Sequence, residues 1–243
     1  MSNTALNICI LAAGKGTRMN SDMPKVLHEI NNKPIIHSVI EKSLLLSPNK
    51  TILIIGYKKD IIKESVKKFD IDFAYQNKQK GTAHAIEQCI DQIKMDDGDT
   101  LVLSGDVPLI SIDTLIKLID IHKKNNSLAS ILTAHIEDPS GYGRIVRDNN
   151  NNFLKIVEHK DASTDELKIN EINSGIYIFN TDSLCKNISL VKNNNNQEEY
   201  YLTDIFDFIN SNSVSIYTTD NINEINGINT IEQLENIENK LGL

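Results

Sequence analysis

Glycines and basic side chains are concentrated in one short stretch near the N-terminus of this 243-residue sequence. The segment LAAGKGTRMNSDMPK follows the apolar run NICI. Gly14 and Gly16 allow the backbone to approach a ligand closely and to turn N–H groups toward an anion. The same segment carries three cations, at Lys15, Arg18 and Lys25. It is therefore a candidate phosphate-binding loop.

The loop matches neither of the two common phosphate fingerprints. No Gly-Lys-Ser/Thr closes it, as a Walker A loop requires, and Met19 stands where the third Gly or Ala of a dinucleotide fingerprint belongs. A plain strand-to-helix turn with surface lysines remains the alternative interpretation. On the loop alone, both interpretations stay open.

The elements around the loop predict its place in a fold. Short apolar runs (NICILAA, TILIIGY, IDFAYQ, DTLVLSGD, SLASILTAHI) alternate with helical patterns (PIIHSVIEKSLLLS, KKDIIKESVKKF, GTAHAIEQCIDQI, IDTLIKLIDIHKKN). This alternation predicts an α/β protein with a doubly wound parallel sheet. Ligands bind such sheets beyond the carboxyl ends of the strands, which is where the loop lies. From Gly141 the runs GYGRIVRD, FLKIVEH and INSGIYIF predict a mixed or antiparallel section that completes the site.

Composition excludes several classes of protein. A net charge of −8 argues against a nucleic-acid partner, and no segment has the apolar length of a membrane span. The three cysteines, Cys9, Cys89 and Cys185, suggest neither a disulfide framework nor a zinc site, so we expect reduced thiols in a cytoplasmic protein.

Two polar side chains follow predicted strands. Gln76 follows IDFAY, and its amide has the donors and acceptors that an imide such as uracil requires. Asp106 follows TLVLSG, where one carboxylate can reach a magnesium ion held by phosphates. Each residue alone is more often a solvated strand end or a turn former. His84, in the next helix, we interpret as a packing or capping residue.

Taken whole, the pattern LAAGKGTRM…PK resembles that of sugar-1-phosphate nucleotidyltransferases. QKGTAHA, SGDVPLI, GYGRIVRD, IVEHKDA, EINSGIYIF, EEYYLTDI and EINGIN follow in the order found in the pyrophosphorylase domains of bifunctional N-acetylglucosamine-1-phosphate uridyltransferases. The resemblance covers essentially the whole chain. It implies a Rossmann-like nucleotidyltransferase fold: a mostly parallel sheet, helices on both faces and a smaller mixed or antiparallel sugar-binding section. It also implies a pyrophosphorylase domain over 1–227 and a C-terminal helix over 228–243.

The implied reaction joins UTP and N-acetylglucosamine 1-phosphate into UDP-N-acetylglucosamine and releases pyrophosphate, with Mg²⁺ as cofactor. The resemblance assigns the catalytic roles to Arg18, at the leaving pyrophosphate, and Lys25, at the reacting phosphates. It assigns Asp106 and Asn229 to the metal. The substrate-binding residues that it implies are Leu11, Ala12, Ala13, Gly14, Lys25, Gln76, Gly81, Thr82, Ser104, Gly105, Asp106, Gly143, Glu158, Asn173 and Asn229.

Two departures from the family pattern bear on function. Ser104 stands where the bifunctional enzymes commonly have Tyr, which makes the sugar preference less secure than the nucleotide preference. The hexapeptide repeats of the acetyltransferase half are absent, so we expect no acetyltransferase activity and a monomer or weak oligomer. The alternatives are uridylyl or thymidylyl transfer to glucose 1-phosphate or a related sugar phosphate, and a silent nucleotide-binding module.

Overall fold

The apolar run NICILAA, except its last residue, lies in an interior strand of a nine-stranded sheet. A computed structural model describes residues 5–241 of the chain. Its main sheet has the order β11-β7-β10-β6-β1-β4-β5, and β8 and β9 extend it from β10. The strands are β1 Ala5–Ala12, β2 Glu29–Ile30, β3 Lys33–Pro34, β4 Lys50–Ile55, β5 Asp72–Tyr75, β6 Gly98–Ser104, β7 Ala129–His135, β8 Arg144–Arg147, β9 Phe153–Val157, β10 Glu171–Asn180 and β11 Val214–Thr218.

Helices cover both faces of this sheet, as predicted. They are α1 Ile35–Leu45, α2 Lys59–Val66, α3 Thr82–Glu87, α4 Ile90–Ile93, α5 Ile112–Lys124, α6 Thr181–Asn187 and α7 Ile231–Leu241. Successive side chains of a strand point to opposite faces. Ile8 and Ile10 of β1 accordingly pack in one core cluster with α1, α2 and α5, while Cys9 packs in a second cluster with α3, α4 and α6. A sheet buried on both faces is the reason that β1 and β4 are apolar throughout.

The second half of the chain enters the same sheet. β1, β4, β5 and β6 are parallel, but β10 runs antiparallel between β6 and β7. The hairpin β8–β9 joins β10 through the pair Ile172 and Arg144. The antiparallel section predicted after Gly141 is therefore an extension of the main sheet. It holds the sugar-site candidates beside the ends of the parallel strands.

The predicted helix GTAHAIEQCIDQI is two short helices, α3 and α4, because the Ile86 carbonyl accepts from both the N–H and the thiol of Cys89.

The thiols of Cys9 and Cys89 lie 3.4 Å apart, and all three cysteines are free. Cys185 is only half-buried.

The C-terminal helix α7 folds back on the domain. Its Ile237 is buried against Ile35 and Ile228. Within residues 5–241 no helix is long and apolar enough to span a membrane.

Candidate active site

The carboxyl ends of β1, β5 and β6 open into a cleft of about 420 Å³. Its wall contains the glycine loop and most of the predicted nucleotide-binding residues. The lining consists of Leu11, Ala12, Ala13, Gly14, Lys15, Gly16, Thr17, Lys25, Val26, Gln76, Gln79, Gly81, Thr82, Ala85, Ser104, Asp106 and Glu199. Among the predicted substrate-binding residues of this region, Gly105 does not line the cleft. Its N–H donates to the carbonyl of Leu11 at 2.9 Å, so it joins two strand ends.

Local geometry explains the composition of the glycine loop. Gly16 has a φ of +61°, and a Cβ there would lie 2.5 Å from Cβ of Lys25. The short 3-10 helix Thr17–Met19 follows at once, and Met19 is buried. The position that departs from the dinucleotide fingerprint is therefore a core residue, which seats the loop on the domain.

Four predicted residues from distant parts of the chain form one polar cluster beside the loop. The ammonium of Lys25 donates to Asp106 Oδ2 and, at 3.0 Å, to Asn229 Oδ1. Arg18 Nη2 donates to the same Asn229 oxygen at 2.8 Å. The fold thus brings two cationic side chains and two side chains with acceptor oxygens to one edge of the sheet.

The start of α7 holds Asn229 in this cluster. The Gln233 side-chain oxygen accepts from the N–H groups of Asn229 and Thr230, at 2.7 and 3.2 Å, and Thr230 Oγ1 accepts from the Gln233 N–H. This reciprocal pattern is a capping box. Asn229 is therefore fixed on one side by the helix start and on the other by Arg18 and Lys25.

The donor set of the cluster suits magnesium. The oxygens of Asp106 and Asn229 converge on a single cationic group, the Lys25 ammonium. Mg²⁺ prefers oxygen ligands and is bound by one or two protein groups together with substrate phosphates. Over residues 5–241 no group of three or more His, Cys, Asp or Glu side chains is arranged to hold a metal. The residues present fit a metal that arrives with phosphate ligands.

At the other end of the cleft, Gln76 is 3% exposed and its amide nitrogen is fully used. Nε2 donates to the Gly81 carbonyl at 2.8 Å and lies 3.0 Å from His84 Nδ1. Gly81 has a φ of +114°, and a Cβ there would lie 2.4 Å from the Tyr200 carbonyl oxygen. The ring of His84, interpreted from sequence as a packing or capping residue, thus packs beside Gln76 and contacts its amide.

A second cleft of about 220 Å³ adjoins the first and shares Leu11, Thr82 and Ser104 with it. All three sugar-site candidates, Gly143, Glu158 and Asn173, line this second cleft. The Asn173 N–H donates to the Gly143 carbonyl at 2.9 Å, which is the β10 contact that brings them together.

Neighbouring residues orient the two polar side chains of the second cleft. Asn173 Nδ2 donates to the Tyr177 hydroxyl at 2.6 Å, and Asn173 Oδ1 accepts from the Gly175 N–H at 3.1 Å. Thr203 Oγ1 donates to Glu158 Oε1 at 3.0 Å. Burial raises the pKa of Glu158, an effect that the Thr203 bond partly offsets. Burial also raises the pKa of Tyr177 far above its usual range.

Residues 8–224 match the family model described as nucleotidyl transferase. The chain belongs to the nucleotidyl transferase family. The bifunctional protein GlmU of Gloeothece citriformis (strain PCC 7424) is 43% identical over 205 residues, which are 84% of this chain and 46% of that protein. Bifunctional protein GlmU of Bacillus cereus (strain AH187) is 43% identical over 217 residues, 88% of this chain and 47% of that protein. The chain spans about half the length of the curated relatives it matches.

Solved structures share the fold at lower identity. A putative glucose-1-phosphate thymidylyltransferase from Bacillus anthracis, 20% identical, superposes with a TM-score of 0.75 over 98% of this chain and 95% of its own. A UDP-glucose pyrophosphorylase in complex with UDP-glucose, 18% identical, superposes with a TM-score of 0.74 over 98% of both chains. HddC from Yersinia pseudotuberculosis, 22% identical, superposes with a TM-score of 0.69 over 97% of this chain and 99% of its own. These likenesses confirm the predicted Rossmann-like nucleotidyltransferase fold.

The residues that orient the candidate binding groups could not be recognised from the sequence. Tyr177, Thr203 and His84 each bond a candidate binding residue. Tyr177 stands four residues after Asn173 in a strand that reads as ordinary buried β-structure, so it carried no local signal. Thr203 and Glu158 are 45 residues apart, and only the tertiary fold brings them together.

Proposed function

We propose that this protein transfers a uridylyl group from UTP to N-acetylglucosamine 1-phosphate, releasing pyrophosphate. The observation that carries the proposal is a pair of adjoining clefts, one with a cation and oxygen cluster and the other with polar groups suited to a sugar. Membership of the nucleotidyl transferase family and 43% identity to bifunctional GlmU proteins support the same activity. We propose that 1–227 is the uridyltransferase domain and that the C-terminal segment 228–243 follows it; the helix in that segment is Ile231–Leu241, which packs on the domain through Ile237.

The reaction needs charge neutralisation more than covalent help. An oxygen of the sugar phosphate attacks the α-phosphorus of UTP, a new P–O bond forms, and the bond to the β-phosphate breaks with its electron pair leaving on pyrophosphate. Two anions must approach each other, so fixed cations and positioning carry the catalysis. Lys25, which lines the cleft, neutralises the reacting phosphates, while Arg18, which bonds Asn229 beside it, neutralises the departing pyrophosphate.

Asp106 and Asn229 would hold Mg²⁺, which when bound supplies a Lewis acid that neutralises phosphate charge. Lys25 must then exchange its bond to Asp106 for a bond to a phosphate oxygen. The cluster is thus a set of polar groups that bond one another and that can each bond a phosphate or a metal instead.

Specificity is divided between the two clefts. Gln76, Gly81 and Thr82 contact the uracil, and the backbone of 11–14 follows the nucleotide. Gly143, Glu158 and Asn173 contact the sugar. Ser104 lines both clefts and so lies where they meet.

Pyrophosphate release tests the proposal. The assay crosses UTP and dTTP with N-acetylglucosamine 1-phosphate and glucose 1-phosphate in the presence of MgCl₂. We expect the fastest turnover with UTP and N-acetylglucosamine 1-phosphate. Preferred turnover with glucose 1-phosphate would replace the sugar assignment, and no turnover with any pair by folded protein would reject the function. Lys25→Met should abolish turnover, whereas Lys94→Met, which removes an exposed lysine paired with Asp91, should not.

A further inference from the structure

His84 is the third residue of α3, and its ring contacts the most buried polar side chain of the nucleotide cleft. Nδ1 of His84 lies 3.0 Å from Nε2 of Gln76, and the same Nε2 lies 2.8 Å from the Gly81 carbonyl oxygen. The catalytic steps proposed above do not use His84.

The Gly81 contact decides which way round the Gln76 amide lies. A backbone carbonyl only accepts hydrogen bonds, so the amide atom that faces it must be the NH₂ group. The second N–H of that group points at His84 Nδ1, which therefore acts as an acceptor. An imidazole nitrogen accepts only when it is unprotonated, so His84 is neutral with its proton on Nε2.

This orientation leaves one atom of the amide for a ligand. Gln76 Oε1 makes no hydrogen bond to any residue between 5 and 241, and Gln76 lines the cleft. The N3–H of a uracil ring can donate to such an oxygen. Cytosine has an unprotonated N3, whose lone pair would face the lone pairs of Oε1.

We infer that His84 is a positioning residue that sets the choice of base, by holding the Gln76 amide so that its oxygen faces the nucleotide. The inference rests on the proposed function, because it concerns the base that Gln76 contacts. Turning the amide over would set its oxygen against two acceptors, the Gly81 carbonyl and His84 Nδ1. Without His84, only the Gly81 carbonyl opposes that turn.

Acidification should have the same effect as losing the acceptor. Once protonated, His84 Nδ1–H would face an N–H of Gln76. The charged groups around His84 are Lys80 and Glu87, and Tyr200 lines the same surface pocket. Burial lowers the pKa of His84, while Glu87 raises it and Lys80 lowers it by smaller amounts, so the pKa lies below its ordinary value. Uracil binding should weaken as the pH falls through this pKa, below the ordinary value of about 6.5.

The test compares two substitutions by titration calorimetry with UMP and CMP. His84→Leu removes the acceptor, whereas His84→Asn places an amide oxygen near the position of Nδ1. We expect the UMP-to-CMP ratio of association constants to fall about 3- to 10-fold in His84→Leu, the range for loss of one hydrogen bond. His84→Asn should restore the ratio of the original protein and abolish its decline at low pH. His135→Leu, at an exposed histidine, is the matched control.

Two further readouts separate this inference from the proposed function. In His84→Leu the KM for N-acetylglucosamine 1-phosphate should not change, because the sugar cleft is intact. Long-range ¹H–¹⁵N correlation spectra at pH 7.5 should show His84 protonated at Nε2 only. An unchanged UMP-to-CMP ratio in folded His84→Leu, or a protonated Nδ1, overturns the role of His84 and leaves the function standing. An unaltered protein that shows the tautomer and the base preference but no pyrophosphate release rejects the function alone.

Discussion

Replacing Asp106 by Asn removes one negative charge from the cluster beside the glycine loop and keeps the shape of the side chain. In the structure Asp106 Oδ2 accepts from the Lys25 ammonium, and both side chains are 18% exposed. The variant leaves Lys25 beside a neutral amide. It also leaves Asn229 Oδ1 and a second amide as the protein oxygens available to Mg²⁺.

The size of the effect follows from the burial of the site. In the variant a neutral amide replaces the carboxylate that would contact Mg²⁺. On the scale of a bond to a charged group this change costs about 1.5–3 kcal/mol, and the low exposure here argues against strong solvent screening. Each 1.36 kcal/mol corresponds to a tenfold change in rate, so turnover at fixed Mg²⁺ should fall about 10- to 150-fold. Binding of UTP without metal should be unchanged or tighter, because a negative charge near the triphosphate has been removed.

The measurements are pyrophosphate release over a Mg²⁺ titration and calorimetric binding of UTP in EDTA. Asp182→Asn makes the same chemical change at an exposed ion pair with Lys186 and should behave like the original protein. If Asp106→Asn turns over normally at limiting Mg²⁺, Asp106 does not hold the metal. If its UTP affinity in EDTA falls in step with turnover, Asp106 contacts the nucleotide instead.

Three other predictions test the sugar cleft and the C-terminal helix. Tyr177→Phe removes the bond to the Asn173 amide, so the KM for the sugar phosphate should rise about 3- to 10-fold with the KM for UTP unchanged; equal rises in both would contradict this. Because burial raises the pKa of Glu158, it loses its negative charge at a higher pH than an ordinary carboxyl group. The sugar KM should therefore begin to rise at a higher pH than an ordinary carboxyl group would cause, and in Glu158→Gln only the rise due to the phosphate of the substrate, whose second pKa is about 6, should remain. Ile237→Ala should lower the free energy of unfolding by about 2 kcal/mol and speed amide exchange in 231–241; unaltered exchange would show that the helix does not depend on this contact.

Most secondary structure could be predicted from sequence because the underlying signals are local. The apolar run TILIIGY contains all of β4 except its first residue, and the periodic segment IDTLIKLIDIHKKN contains α5. The secondary-structure prediction was wrong for one helix, which hydrogen bonds to a single carbonyl interrupt. The segment GTAHAIEQCIDQI has an uninterrupted helical pattern, yet it divides at Cys89, whose thiol bonds the Ile86 carbonyl.

The candidate site likewise contains residues that could be recognised from the sequence and residues whose contacts only the structure shows. The glycine loop, Gln76 and Asp106 stand out because they lie at strand ends within motifs that resemble those of the family. Gly105 stood in the same motif, but it packs against Leu11 instead of lining the cleft. His84 looked like a helix residue of no special role until its distance to Gln76 was known.

The sequence by itself determined the fold class, a candidate phosphate-binding loop and the kinds of side chain proposed for base, metal and sugar. These depend on residue type and on spacing along a few turns or strands. Only the tertiary structure decided that β10 lies between β6 and β7, that Asn229 meets Lys25 across 204 residues, and that the Gln76 amide has its oxygen free. The physical reason is that strand order and amide orientation depend on partners far away in the chain, which local spacing does not encode.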